Sequence, residues 1–192
     1  MPKPVFILAS SSPRRLALLK DIGIVPYKIV QADIDETPQK QELPRQLAER
    51  LALEKLKAVA DDYPEGAVLA ADTVVGCGRR ILPKAATAED VRRFWQLLSG
   101  RRHHVYTGVA LRTPQGKILQ RLADSVVTFR RATEEDIEAY AANGEGIGKA
   151  GGYAIQGRAA AHVRFISGSY SNIVGLPLFE VAQMLRTCGY PL

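Results

Sequence analysis

The spacing of apolar positions changes repeatedly along the chain, and each change marks an element. Residues 5–9 form a five-residue apolar run, short enough for one buried strand. Ser10-Ser11-Ser12 then leads into Pro13-Arg14-Arg15-Leu16-Ala17-Leu18-Leu19. That is a helix start, with Ser12 as N-cap and proline at the first helical position, and Gly23 ends the helix. Residues 25–32 alternate loosely and predict a second strand, followed by an acidic, polar loop over residues 33–43. Apolar residues recur at helical spacing over 44–61, behind Pro44, and predict a long helix. Residues 66–77 are nearly continuously apolar, as in a central strand covered on both faces, with residues 79–82 placed to pair back as a hairpin.

Further on, Thr87 caps a helix running through Trp95 to Leu98, with Asp90 at the capping-box position and Ser99-Gly100 as the stop. Residues 105–113 and 118–129 read as long strands joined by a turn at Pro114-Gln115-Gly116. Thr133 caps a short acidic helix ending near Asn143, and a glycine-rich stretch fills residues 144–157. A strand over 163–166 and a last helix over 178–187, with Gly189 as C-cap, complete the pattern. Strands and helices interleave, so the fold class is α/β, and the two long consecutive strands predict a mixed sheet within a single domain. No repeat or linker interrupts the 192 residues.

Composition narrows the function classes. No apolar run approaches the ~20 residues that span a bilayer, and the run at 5–9 is too short for a signal-peptide core, so the expectation is a cytosolic protein without membrane partners. Cys77 and Cys188 are expected as reduced, partly buried thiols, and His103, His104 and His162 lack metal-ligand spacing. A net charge of +6 suits anions. The basic pairs are scattered and not interleaved with aromatics, so no nucleic-acid partner is expected.

Five places carry candidate chemistry. Ser10 to Arg15 put hydroxyls and two guanidiniums at a helix N-terminus, where unpaired N–H groups and the dipole favour phosphate. Two arginines are electrostatically misplaced in a first turn unless an anion binds there. Asp72 interrupts an apolar strand, where an unpaired carboxylate costs several kcal/mol; at the end of such a strand it is placed as a metal ligand or general base, with Thr73 beside it. On a wheel of roughly 100° per residue, Lys55 falls inside the apolar arc of its helix, either snorkelling out or pointing into a cleft. The loop Asp33-Ile34-Asp35-Glu36 could share a magnesium with Asp72, and Lys149 and Gln156 offer polar tips in the glycine-rich stretch.

In this order the segments resemble the Maf-like nucleoside triphosphate pyrophosphatases. They are Ala9-Ser-Ser-Ser-Pro-Arg-Arg15, Glu54-Lys55, Ala71-Asp-Thr-Val-Val75, Ser99-Gly-Arg-Arg-His103 with Thr107-Gly108, residues 148–157, and Gly168-Ser-Tyr-Ser-Asn-Ile-Val-Gly-Leu-Pro177. The resemblance implies an elongated two-lobed fold with a central cleft, similar to the inosine-triphosphate pyrophosphatases, and a homodimer. It implies hydrolysis between the α- and β-phosphates with Mg²⁺ or Mn²⁺. Asp72 takes the place of the proton acceptor and, with Glu36, of the metal ligands. Lys55 and Lys84 take catalytic places, and Ser10, Arg15 and Lys149 line the substrate. Arg14, Thr73 and Gln156 fill the positions tied to base choice in the branch acting on dTTP and UTP. The family usually has Lys followed by Pro after the hairpin, whereas this chain has Pro83-Lys84-Ala85. Two other readings are a pool cleaner acting on modified nucleotides and a non-catalytic nucleotide- or nucleic-acid-binding regulator of cell division.

Overall fold

Eleven consecutive residues, Ala67–Cys77, form β3, and only Thr73 and Cys77 along it are partly exposed. In the computed structural model, which describes residues 5–190, β3 sits near the middle of a sheet of seven strands. The opening Met1-Pro2-Lys3-Pro4 lies outside the described residues. On one side β3 pairs in parallel with β1 (Phe6–Leu8), and β1 with β2 (Lys28–Ile29). On the other side β5 (Arg102–Arg112), β6 (Ile118–Phe129) and β7 (Val163–Ser167) follow antiparallel. β4 (Arg80–Leu82) folds back on β3 through a turn in which Gly78 has φ +60°. The sheet is therefore mixed.

Alternation of side chains along the strands divides the core. Phe6, Leu8, Leu69, Ala71 and Val75 face α1 (Pro13–Asp21), α3 (Ala88–Leu98), α4 (Glu134–Asn143) and α6 (Leu178–Arg186). Trp95 of α3 is fully buried, stacked on Tyr140 at 4.1 Å and tilted against Phe129 at 5.3 Å. Burying a side chain of this size contributes about 3 kcal/mol. Ile7, Ala9, Val68 and Ala70 lie on the other face, under Ala52, Leu56 and Val59 of α2 (Pro44–Ala60).

Two strand glycines let α2 lie close to the sheet. A Cβ on Gly108 would stand 2.2 Å from the Ala48 carbonyl oxygen, and one on Gly76 would stand 2.7 Å from the Pro44 ring. Gly108 is the cross-strand partner of Asp72, so the closest approach of α2 is beside that carboxylate.

Pairing along β3 is interrupted where this matters. β1 accompanies it only to Leu8–Leu69, and β4 starts at Val75–Leu82. Between them, residues 70–74 have a strand neighbour only on the β5 side, which leaves a notch in the sheet beside β3. Asp72 thus lies mid-strand rather than at a strand end as the sequence suggests; the strand that ends there is β1.

Other expectations are corrected. The strand read over 25–32 shrinks to Lys28–Ile29, because Pro26 has no N–H and the segment is an exposed edge. Ser12 occupies the N-cap position of α1 without a side-chain cap bond. Thr187, not Gly189, is the last C-cap, and Gly189 (φ +82°) follows two residues later. A 3-10 helix at Arg158–His162 and the five-residue α5 (Tyr170–Val174) were not anticipated, both being too short to show a period. The capping boxes at Thr87–Asp90 and Thr133–Asp136 form, and Cys77 and Cys188 are free. Among the described residues no helix is long and apolar enough to cross a membrane.

Candidate active site

The notch opens into a cavity of about 570 Å³. Ser10, Arg14, Arg15, Glu36, Lys55, Asp72, Thr73, Lys84, Lys149 and Gln156 all line it, so these candidate residues come to one place. This volume lies within the ~300–1,000 Å³ usual for small-molecule sites.

Lys55 resolves toward the cleft. Side chains on a helix lean toward its N-terminus, and Lys55, two turns beyond Ala48, turns back toward β3. Its Nζ lies 2.5 Å from Asp72 Oδ1 and 2.6 Å from Glu36 Oε1, with Lys55 and Asp72 both buried. Lys84 binds the second Glu36 oxygen at 2.6 Å. Burial pushes the Glu36 carboxyl up, but bonds from Lys55 and then Lys84 outweigh it and hold its pKa at about 2.

Lys84 owes its place to main-chain pairing. Lys84 and Ala150 form an antiparallel bridge, the Ala85 N–H donates to Lys149 O at 3.1 Å, and the Gly148 N–H donates to Ala85 O at 2.8 Å. Lys84 and Lys149 are thereby brought to the same rim without the usual following proline. The glycine-rich stretch is anchored from below: Trp95 Nε1 donates to Gly152 O at 3.1 Å, and Tyr153 Oη meets His103 Nε2 at 2.8 Å. A Cβ on Gly151 would stand 2.9 Å from Val75, so glycine is what lets the loop lie on β3.

Across the notch, Arg15 is buried and makes three bonds to neutral oxygens. Nε donates to Gly175 O at 2.8 Å, Nη1 to Ser10 Oγ at 3.0 Å and Nη2 to Thr73 Oγ1 at 3.3 Å. Of the five guanidinium N–H groups, one on each terminal nitrogen is left, the number that grips two oxygens of a phosphate. Burial lowers the Arg15 pKa despite the field of Asp72, and burial also lowers that of Arg14. Lys149 is lowered by burial and by repulsion from Arg14. Among the described residues none of these three cations has a carboxylate within ion-pairing distance. Five cations line the cavity against two carboxylates, an excess of three positive charges.

Asp72 and Glu36 converge on one cation, Lys55 Nζ, and so their oxygens can be no more than about 5 Å apart. Hard carboxylate oxygens are the donors Mg²⁺ and Mn²⁺ take, so Asp72 and Glu36 are the pair that would hold such a cation. Among the described residues no three His, Cys, Asp or Glu side chains gather as a closed metal cage.

The sequence reading missed Gln31, Tyr153 and the Gly175 carbonyl in the wall, and Thr107 behind Thr73. Three of them fall in the quoted segments 107–108, 148–157 and 168–177, and Gln31 falls in none.

A family model described as "Maf-like protein" matches residues 5–188. The chain belongs to the Maf-like family. Among Maf-like relatives, a dTTP/UTP pyrophosphatase of Sphingopyxis alaskensis is 55% identical over 98% of this chain and 99% of its own length. One of Gluconobacter oxydans is 57% identical over 99% of this chain and 88% of its own length. Among solved structures, the Staphylococcus aureus Ham1 protein overlays 65% of this chain and 71% of its own, at 16% identity and a TM-score of 0.47, too partial an overlap to bear on this Maf-like site.

Proposed function

We propose that this protein hydrolyses dTTP and UTP, in the cytoplasm, to the nucleoside monophosphate and pyrophosphate with Mg²⁺ or Mn²⁺. The observation that carries the proposal is the Asp72–Lys55–Glu36 arrangement in the same cavity as the uncompensated Arg14, Arg15 and Lys149. The names of the two relatives support the substrate class.

Ser10 and the N-terminus of α1 hold phosphate oxygens, and Arg15 grips them with its two remaining N–H groups. Lys84 and Lys149 neutralise charge at the rim. Lys55 occupies Asp72 Oδ1, which leaves Oδ2 to orient the attacking water and take its proton. Water adds across the α–β anhydride, and the pyrophosphate leaves with the charge of the broken P–O bond. Asp72 and Glu36 would hold a divalent cation, which would supply Lewis-acid neutralisation of phosphate charge. Such chemistry depends mainly on positioning and electrostatics.

Gln156 gives the base preference a chemical reason. Its amide N–H can donate to the carbonyl of uracil or thymine while its oxygen accepts the imide N–H. The test is pyrophosphate release from a panel of normal and modified triphosphates, with Mg²⁺ or Mn²⁺ and with chelator. Metal-dependent turnover led by dTTP and UTP is expected. Tight binding without turnover of any triphosphate refutes the enzyme and favours the regulator.

A further inference from the structure

Thr107 and Asn172 are fully buried, have no part in the chemistry above, and do not line the cavity. We propose that they are positioning residues for Arg15. Thr107 fixes the acceptor that Thr73 presents to the guanidinium, and Asn172 fixes the carbonyl that Gly175 presents. The proposal rests on the pyrophosphatase reading for its substrate.

The first arm follows from counting protons. A hydroxyl has one hydrogen to donate and two lone pairs to accept with. Thr107 Oγ1 donates its hydrogen to Asn172 O at 3.2 Å. The 2.9 Å contact between the two threonine hydroxyls therefore runs from Thr73 to Thr107. The other acceptor within reach of Thr73 Oγ1, Gly175 O at 3.4 Å, is the carbonyl that already receives Arg15 Nε. With its proton engaged in this way, Thr73 Oγ1 meets Arg15 Nη2 as an acceptor at 3.3 Å. The chain runs in one direction, from Arg15 through Thr73 and Thr107 to the main chain at Asn172. Thr73 and Thr107 are direct cross-strand partners, so the two central strands themselves set the spacing.

The second arm pins the segment that carries Gly175. Asn172 Nδ2 donates to Val105 O and to Ser125 Oγ, both at 2.9 Å. Ser125 Oγ also accepts from the Ser169 N–H at 3.0 Å and donates to Ser169 O at 3.2 Å. Segment 168–175 is thus fastened to β5 and β6, and three residues past Asn172 the Gly175 carbonyl receives Arg15 Nε at 2.8 Å. Gly175 has φ +131°, which L side chains rarely adopt, so glycine is required to aim that carbonyl. Segment 168–177 therefore holds one side of a phosphate clamp that it does not complete.

The test compares Thr107→Val, which removes the acceptor at nearly constant volume, with Thr107→Ser, which keeps it. With dTTP, Thr107→Val is expected to lower kcat about tenfold or more while KM moves less than about threefold, because small misplacement of a clamp costs up to ~100-fold. Thr107→Ser should stay within about threefold of wild type at equal Tm, and Thr107→Val should add little once Arg15 is alanine, as coupled residues do. If the valine variant does not fold, Thr107→Cys, a weaker hydrogen-bonding group, replaces it. A valine variant within about twofold of wild-type kcat, a serine variant as slow as valine, or an undiminished loss beside Arg15→Ala overturns the proposal. Inorganic pyrophosphate binding separates the two failures. If wild type cleaves no triphosphate, the functional reading fails, and the positioning claim then depends on whether Thr107→Val alone weakens pyrophosphate about fivefold. Equal affinity in both variants, or no binding to wild type, overturns it.

Discussion

Replacing Lys55 with methionine removes the ammonium that Asp72 and Glu36 share and keeps most of the apolar stem. The side chains of Lys55 and Asp72 are 9% and 8% exposed, so the change leaves a carboxylate buried without its cation, a second one nearby. Breaking a buried pair by removing one partner costs about 3–5 kcal/mol. The low end applies here, since Glu36 is 38% exposed and keeps Lys84 at 2.6 Å. A loss of about 3 kcal/mol in a chain of this size lowers Tm by roughly 6–12 °C. Thermal unfolding at neutral pH without nucleotide measures it directly. Mg²⁺ should raise the Tm of the variant more than that of wild type, because it restores charge the variant lacks. A variant Tm within about 2 °C of wild type at neutral pH would refute the reasoning, since the lysine would then balance no buried charge.

Glu36→Gln tests the outer carboxylate. Its folded pKa of about 2 lies below the ordinary 4.5, so its contribution is complete above pH 4.5 and is lost as pH falls toward 2. After discounting for exposure it amounts to about 1 kcal/mol, and the stability gap between wild type and Glu36→Gln should narrow by that much in acid titrations. Gly108→Ala sets a Cβ 2.2 Å from the Ala48 carbonyl and must displace backbone. It should cost about 2 kcal/mol or more, seen as a lower urea midpoint, and should reduce turnover by shifting the helix that carries Lys55.

Charged residues set inside apolar patterns made much of this site legible from sequence. Asp72 within the strand pattern and Lys55 within the apolar arc of α2 each needed a partner, and the structure makes them each other's. Two arginines in a first turn marked the proposed phosphate end for the same electrostatic reason. Glu36 and Lys84 lie in loops without periodicity; the acidic loop reads from sequence as a partner for Asp72, whereas Lys84 comes only from the family resemblance. Thr107 entered only as part of a matching segment, because threonine is an ordinary strand residue and its partners come from segments 65 and 34 positions away. The edge strand was overread because loose alternation ignores whether a face is covered. The five-residue α5 is shorter than two helical turns and left no periodic trace.

The central claim is that Asp72 directs water onto the α–β anhydride. The most direct measurement resolves the products of dTTP by phosphorus NMR for wild type and Asp72→Asn, with thermal unfolding of both as a check on folding. The account predicts dTMP and pyrophosphate in equal amounts from wild type, and release slowed at least about a hundredfold in a folded Asp72→Asn variant. Wild-type-like release by that variant, or dTDP and orthophosphate as the products, would contradict it.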